Sequence, residues 1–133
     1  MILEIIVKGN FTVCGIVMPN NDDLDCTFFF SEEWMPPNSR WERSRIKLMR
    51  QIDLAAKDPK LVTICCHSIA PEIWQFKSGP YRIPWFYDEG KLIICSHVFV
   101  KKQKKTPKAE RDRAIKARED YLKAKESGAI VFK

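Results

Sequence analysis

Two short turn sequences set the tightest limit on what this chain can fold into. Lys77-Ser78-Gly79-Pro80 and Asp88-Glu89-Gly90 separate apolar, β-branched and aromatic runs within residues 61–102, at 61–66, 72–76, 81–87 and 91–100. Loops this short suit consecutive antiparallel strands. The segment therefore predicts a small antiparallel sheet. Pro84 lies inside one of these runs and cannot donate to a ladder, so a bulge or an outward-facing edge is expected there.

The flanks add a second hairpin and two helices. Residues 1–8 and 11–18 are apolar and β-branched around Gly9-Asn10, a strand, turn and strand. Residues 19–25 are polar and turn-like, and 26–30 read as a short buried strand or a helical turn, which periodicity does not separate. Asn38 and Ser39 are good N-caps for a helix over 40–57, where Trp41, Leu48, Ile52 and Ala55 form an apolar stripe that Asp58-Pro59 ends. Arg43, Lys47 and Arg50 on its other side read as a solvated surface. Thr106-Pro107 predicts a helix with Thr as cap and Pro at the first helical position, running to about Glu126, with Gly128 as its stop. Its stripe of Ala114, Ala117, Tyr121 and Ala124 is narrow, and residues 129–132 read as a last strand or a sticky tail.

With 133 residues, 45% of them hydrophobic, the chain suits one α+β domain over 1–133. Its longest apolar stretches fall far short of the ~20 residues of a membrane span. The first eight residues contain Glu4 and show neither a basic leader nor a small-residue cleavage site, so a cytoplasmic location and reduced cysteines are expected. Net charge is +6, and residues 101–125 hold eleven Lys or Arg against four Asp or Glu, leaving the remainder close to neutral. A basic surplus confined to one segment is the footprint of a polyanion binder, because each phosphate neutralised releases counterions; a solvated helix with a basic tail is the plainer alternative.

Sequence motifs exclude several chemistries. A Gly-rich phosphate loop, a nucleophile elbow and carboxylates spaced for a magnesium-dependent nuclease are all lacking. Cys65-Cys66-His67 does not read as a metal site, since consecutive strand residues point to opposite faces. No metal or other cofactor is expected. His97 lies in an apolar strand, where a core histidine with a satisfied ring is the plainer reading and a role in chemistry the sharper one. Trp74, Trp85, Phe86 and Tyr87 suit core packing, although an aromatic on an open face could stack a base.

Three stretches carry a family resemblance: residues 72–77 (Glu-Ile-Trp-Gln-Phe-Lys), then Tyr81-Arg82-Ile83, then 97–108 with Lys101-Lys102-Gln103-Lys104-Lys105-Thr106-Pro107. A strand ending in a basic turn, a Tyr-Arg strand and a strand running into Lys-Lys-x-x-Lys-Thr-Pro resemble the RelE/HigB toxins, particularly their phage-derived branch. The resemblance covers about residues 70–122, and residues 1–35 depart from the family pattern. It implies a RelE/ParE-like antiparallel sheet packed against an N-terminal helix, with a basic C-terminal helix. It also implies a metal-independent endoribonuclease that cuts mRNA on the ribosome by 2′-hydroxyl attack on the neighbouring phosphate. In that resemblance Arg82 and Lys102 stabilise the phosphate, and Lys77, Lys101, Lys104 and Lys105 contact mRNA or ribosomal RNA. Members that place lysines on the strand before the Tyr-Arg pair differ from this chain, which has Ile73 and Gln75 there. His97 is then the candidate for proton transfer, with Lys77 at the turn as a weaker substitute.

The same scaffold also serves ParE-like proteins, which inhibit a protein target such as gyrase and cut nothing, and an inert phage-derived binding module is a third reading. All three go with a cognate antitoxin, often of helix-turn-helix type, and none involves a membrane.

Overall fold

The computed structural model describes residues 1–18, 25–63 and 67–133. Strands β1 (Ile2–Lys8) and β2 (Thr12–Ile16) form the expected antiparallel hairpin. The 26–30 stretch resolves as helix α1 (Cys26–Phe29), because the Asp25 carboxylate accepts from the backbone N–H groups of Thr27 and Phe28 and so caps a helical turn. Helix α2 (Ser39–Lys57) starts where Asn38 Oδ1 accepts from the Trp41 N–H at 3.0 Å, and it buries Leu48, Ile52, Ala55 and Ala56.

The strand expected over 61–66 is corrected in its first half. Lys60–Thr63 is a helical turn, α3, since Asp58 Oδ1 accepts from the Lys60 N–H at 3.0 Å and restarts helical geometry after Pro59. Residues 64–66, with the Cys65-Cys66 pair, lie outside the described residues. Then follow β3 (His67–Ala70), β4 (Ile73–Ser78), β5 (Tyr81–Asp88), β6 (Leu92–Cys95) and β7 (Phe99–Val100). The continuous strand expected over 91–100 is therefore split. Helix α4 (Lys108–Glu126) and β8 (Val131–Phe132) complete the chain. Pro107, not Thr106, is the N-cap of α4, in an extended conformation that makes no side-chain cap bond.

The strands form one sheet in the order β3-β4-β5-β6-β2-β1-β8, with β7 also beside β5. Pairing is antiparallel except for β2 with β6 and β1 with β8. The N-terminal hairpin thus extends the central meander instead of standing apart from it. Pro84 resolves in a way that satisfies its missing donor. Register between β4 and β5 runs without a bulge from Trp74↔Trp85 to Ser78↔Tyr81. On its other side β5 pairs with β6 from Trp85 onward and with β7 at Tyr81 and Arg82, so Pro84 faces the break between those two strands. Its carbonyl accepts from the Ser96 N–H at 2.8 Å, and its missing donor, which points the same way, interrupts no ladder.

Each face of the sheet is covered. On one, α1, α2 and α3 pack over Val13, Phe76, Tyr81, Ile83, Trp85 and Ile93. Gly79, at φ +54°, lets the β4–β5 turn press against Ser44 of α2. Gln51 of α2 holds the β4 backbone at Lys77: its Nε2 donates to the Lys77 carbonyl at 2.7 Å and its Oε1 accepts from the Lys77 N–H at 3.3 Å. On the opposite face, α4 covers a smaller cluster of Leu3, Cys14, Phe86, Ile94 and Tyr121. Each fully buried large side chain contributes ~1.5–3 kcal/mol, so the first face dominates stability. Helix α4, with Ala114 and Tyr121 as its buried residues, depends more on polar anchors.

Candidate nucleic-acid interface

Strand alternation sorts the polar residues of the central meander. Gln75 pairs with Pro84, Lys77 with Arg82 and Arg82 with Phe99, so these side chains share the face toward α4. After β7 the Lys101 N–H donates to the Pro80 carbonyl at 2.7 Å, which fixes where the lysine segment leaves the sheet. Because α4 begins only at Lys108, the segment 101–107 crosses the sheet face before the helix starts.

Between that segment, β3, β4 and the first turn of α4 lies a cavity of about 290 Å³. It is lined by Ser68, Ile69, Gln75, Lys101, Lys104, Lys105, Thr106 and Arg111. Among the described residues four cations and no carboxylate line it, and the N-terminus of α4 adds the positive end of a helix dipole. Such a lining attracts a phosphate-bearing ligand. Gln75 stands apart from the other lining residues, being 2% exposed with its Oε1 lacking any hydrogen-bond partner among the described residues.

The residues singled out from sequence separate into groups. Lys101, Lys104 and Lys105 converge on the cavity. Lys77 and Arg82 share its sheet face but do not line it. Arg82 turns back on its own hairpin, with Nη1 donating to the carbonyls of Gly79 at 2.7 Å and Tyr81 at 2.8 Å. Its Nε is buried without a partner among the described residues, and desolvation holds its pKa below the usual arginine value. Lys102 is exposed and outside the lining.

His97 is fully buried. Its Nδ1 lies 2.8 Å from Ser96 Oγ and its Nε2 3.0 Å from Glu110 Oε2, so neither ring nitrogen is open to an incoming RNA. Burial pushes its pKa down to about 4, a Glu110 carboxylate that would raise it and an Arg113 cation that lowers it being smaller influences.

Sequence reasoning missed Arg111, Thr106 and Ser68 as members of the site. Arg111 was visible only as one charge of a basic helix. Gln75 left a sharper trace, an amide between Ile73 and Phe76 in a strand whose neighbours are buried.

A family model described as phage-derived protein Gp49-like (DUF891) matches residues 38–119, well over half of the chain. The chain belongs to the phage-derived Gp49-like family. That family is associated with the toxins of toxin–antitoxin systems. The match runs from the cap of α2 into α4, so it takes in the whole cavity and leaves the N-terminal hairpin outside. Comparison with curated proteins gives no match. Among the described residues no helix is long and apolar enough to cross a membrane, and no three His, Cys, Asp or Glu side chains are grouped to hold a metal. Cys14, Cys26 and Cys95 are buried free thiols, the first pushed up to about 12, chiefly by burial.

Proposed function

We propose that this Gp49-like protein is the toxin of a toxin–antitoxin pair in the RelE/HigB manner, a single-domain, cytoplasmic, metal-independent endoribonuclease acting on mRNA held in the ribosome. The observation that carries the reading is the convergence of Lys101, Lys104, Lys105 and Arg111 on one cavity with no carboxylate among its described lining residues. Cleavage by the 2′-hydroxyl forms a bond to the neighbouring phosphorus and breaks the bond to the 5′-oxygen. Negative charge builds on the phosphoryl oxygens in the transition state, so fixed cations lower the barrier. Arg82 and Lys102 supply that charge beside the cavity, Arg82 once its guanidinium swings from the Gly79 and Tyr81 carbonyls onto a phosphate. Lys77, Lys101, Lys104 and Lys105 hold the mRNA backbone and the surrounding ribosomal RNA. His97 acts through Glu110 on the start of α4 as a positioning residue. Its partner in the cell is a cognate antitoxin, of helix-turn-helix type, that covers the basic face.

One observation favours a second reading. Among the described residues the titratable groups of the lining are Lys and Arg, and neither suits proton transfer near neutral pH. A ParE-like inhibitor of a protein target needs no such group. The two readings separate when wild type, Arg82→Ala/Lys102→Ala and Lys101→Ala/Lys105→Ala/Arg111→Ala proteins are induced and mRNA 5′ ends are mapped on translating ribosomes. New cuts in wild type that fade in both variants support the ribonuclease. Growth arrest without cuts turns the assignment to a protein target.

A further inference from the structure

Gln75 has a buried acceptor with no donor among the described residues. It is 2% exposed, on the floor of the basic cavity, and its Oε1 has no partner among the described residues. A buried polar atom left this way is disfavoured relative to a bonded one, and natural structures keep few of them. An orphan acceptor at the floor of a cavity is explained when its donor arrives with the ligand. At about 290 Å³ the cavity sits at the lower end of the ~300–1,000 Å³ typical of small-ligand pockets. It therefore suits one nucleotide unit, with Lys101, Lys104, Lys105 and Arg111 at the phosphate and Gln75 at the edge of the base.

The geometry points to a single-nucleotide subsite in which Gln75 Oε1 accepts from the exocyclic amine of an unstacked adenine or cytosine. Adenine and cytosine carry a donor amine where guanine and uracil carry a carbonyl oxygen. That carbonyl would set its lone pairs against those of Oε1. Gln75 is then a specificity-determining residue, favouring adenine and cytosine, which present an amine at that edge, over guanine and uracil beside the cut. The inference rests on the RNA-directed reading above, but base preference can be measured without any cleavage.

The test titrates the isotopically labelled full chain with the 3′-monophosphates of adenosine, cytidine, guanosine and uridine, followed by NMR. Expected are shifts centred on the Gln75 side-chain amide and the Lys101 and Arg111 backbone amides, with the adenosine and cytidine nucleotides binding about tenfold more tightly than the guanosine and uridine pair. Gln75→Glu, which keeps an acceptor at the floor, retains the preference. Gln75→Met abolishes it while melting at or above the wild-type temperature. Equal binding of all four, a preference for guanosine or uridine, a preference surviving in Gln75→Met, or no saturable binding overturns the subsite. Failure of the ribonuclease reading looks different: selectivity for the adenosine and cytidine nucleotides without mRNA cuts removes the enzyme and leaves the subsite. Cuts with no base bias beside them do the reverse.

Discussion

His97 Nε2 lies 3.0 Å from Glu110 Oε2, tying the break between β6 and β7 to the first turn of α4. A carboxylate can only accept, so Nε2 carries the proton; burial keeps the ring neutral near pH 7, which leaves Nδ1 to accept from the Ser96 hydroxyl. Arg111, which lines the cavity, follows Glu110 directly. The pair therefore sets the position of one cavity wall.

That burial has a pH signature. His97 ordinarily titrates at 6.5 and is held at about 4 in the fold, chiefly by desolvation. Its folded pKa is the lower one, so the unfolded chain takes up the proton first. Stability should be full above pH 6.5 and should fall as pH drops toward 4, by about 2–3 kcal/mol. Thermal melts across that range should show the loss in wild type and a flatter profile in His97→Gln. An identical slope in the variant would show that the dependence arises elsewhere.

A second anchor holds the far half of α4. The Tyr121 hydroxyl donates to Asp88 Oδ2, and Lys125 Nζ lies 2.9 Å from Asp88 Oδ1. Burial alone would raise the Asp88 pKa, but the bonds from Tyr121, Lys125 and the Glu89 N–H outweigh it and hold the carboxyl below its usual 3.8. The stabilisation is present above that value and is lost as pH falls through the lower folded pKa, a window below that of His97. Tyr121→Phe keeps the ring against Phe86 and removes the charge-assisted bond, so urea unfolding near neutral pH should show a loss of about 1.5–3 kcal/mol. A change under 0.5 kcal/mol would mean that the ring alone holds the helix.

How far the sequence spoke for the fold depended on the range of the forces involved. The N-terminal hairpin, the central meander, the α2 stripe and, to within one residue, the extent of α4 follow from local turn chemistry and helical period. Residues 61–63 looked like a strand because Val62 and Thr63 are β-branched, yet the Asp58 side chain overrides that preference. The parallel pairing of Thr12 with Leu92 joins residues eighty positions apart and leaves no local trace. The site divides in the same way. The lysine run was plain, whereas its meeting with Gln75, Ser68 and Arg111 depends on how β3, β4 and α4 come together in space.

The β4–β5 turn offers a steric prediction. Gly79 has φ +54°, and a Cβ there would run into Ser44 Oγ and approach Ser44 Cβ at 2.9 Å. Left-handed backbone alone costs a non-glycine residue about 1–2 kcal/mol, and the collision adds to it. Gly79→Ala should therefore lose at least about 2 kcal/mol by denaturant unfolding. Its cost should shrink toward the backbone figure in a Ser44→Gly background, where both colliding atoms are gone. If the cost is the same in both backgrounds, the turn does not press on α2 as the contact requires.

The cavity itself can be tested through salt. Each phosphate neutralised on single-stranded RNA contributes about 0.7 to the slope of log K against log salt. Alanine at Lys101, Lys104, Lys105 or Arg111 should each flatten that slope by about this amount for a short unstructured RNA, measured by fluorescence anisotropy. Lys123, exposed toward the other end of α4, serves as the control and should leave it unchanged. Arg43 and Arg50 on α2 line a separate groove with Ile46 and Lys47. If alanine at those two flattens the slope and the cavity residues do not, the RNA lies on the α2 face, and the cavity cations serve some other ligand.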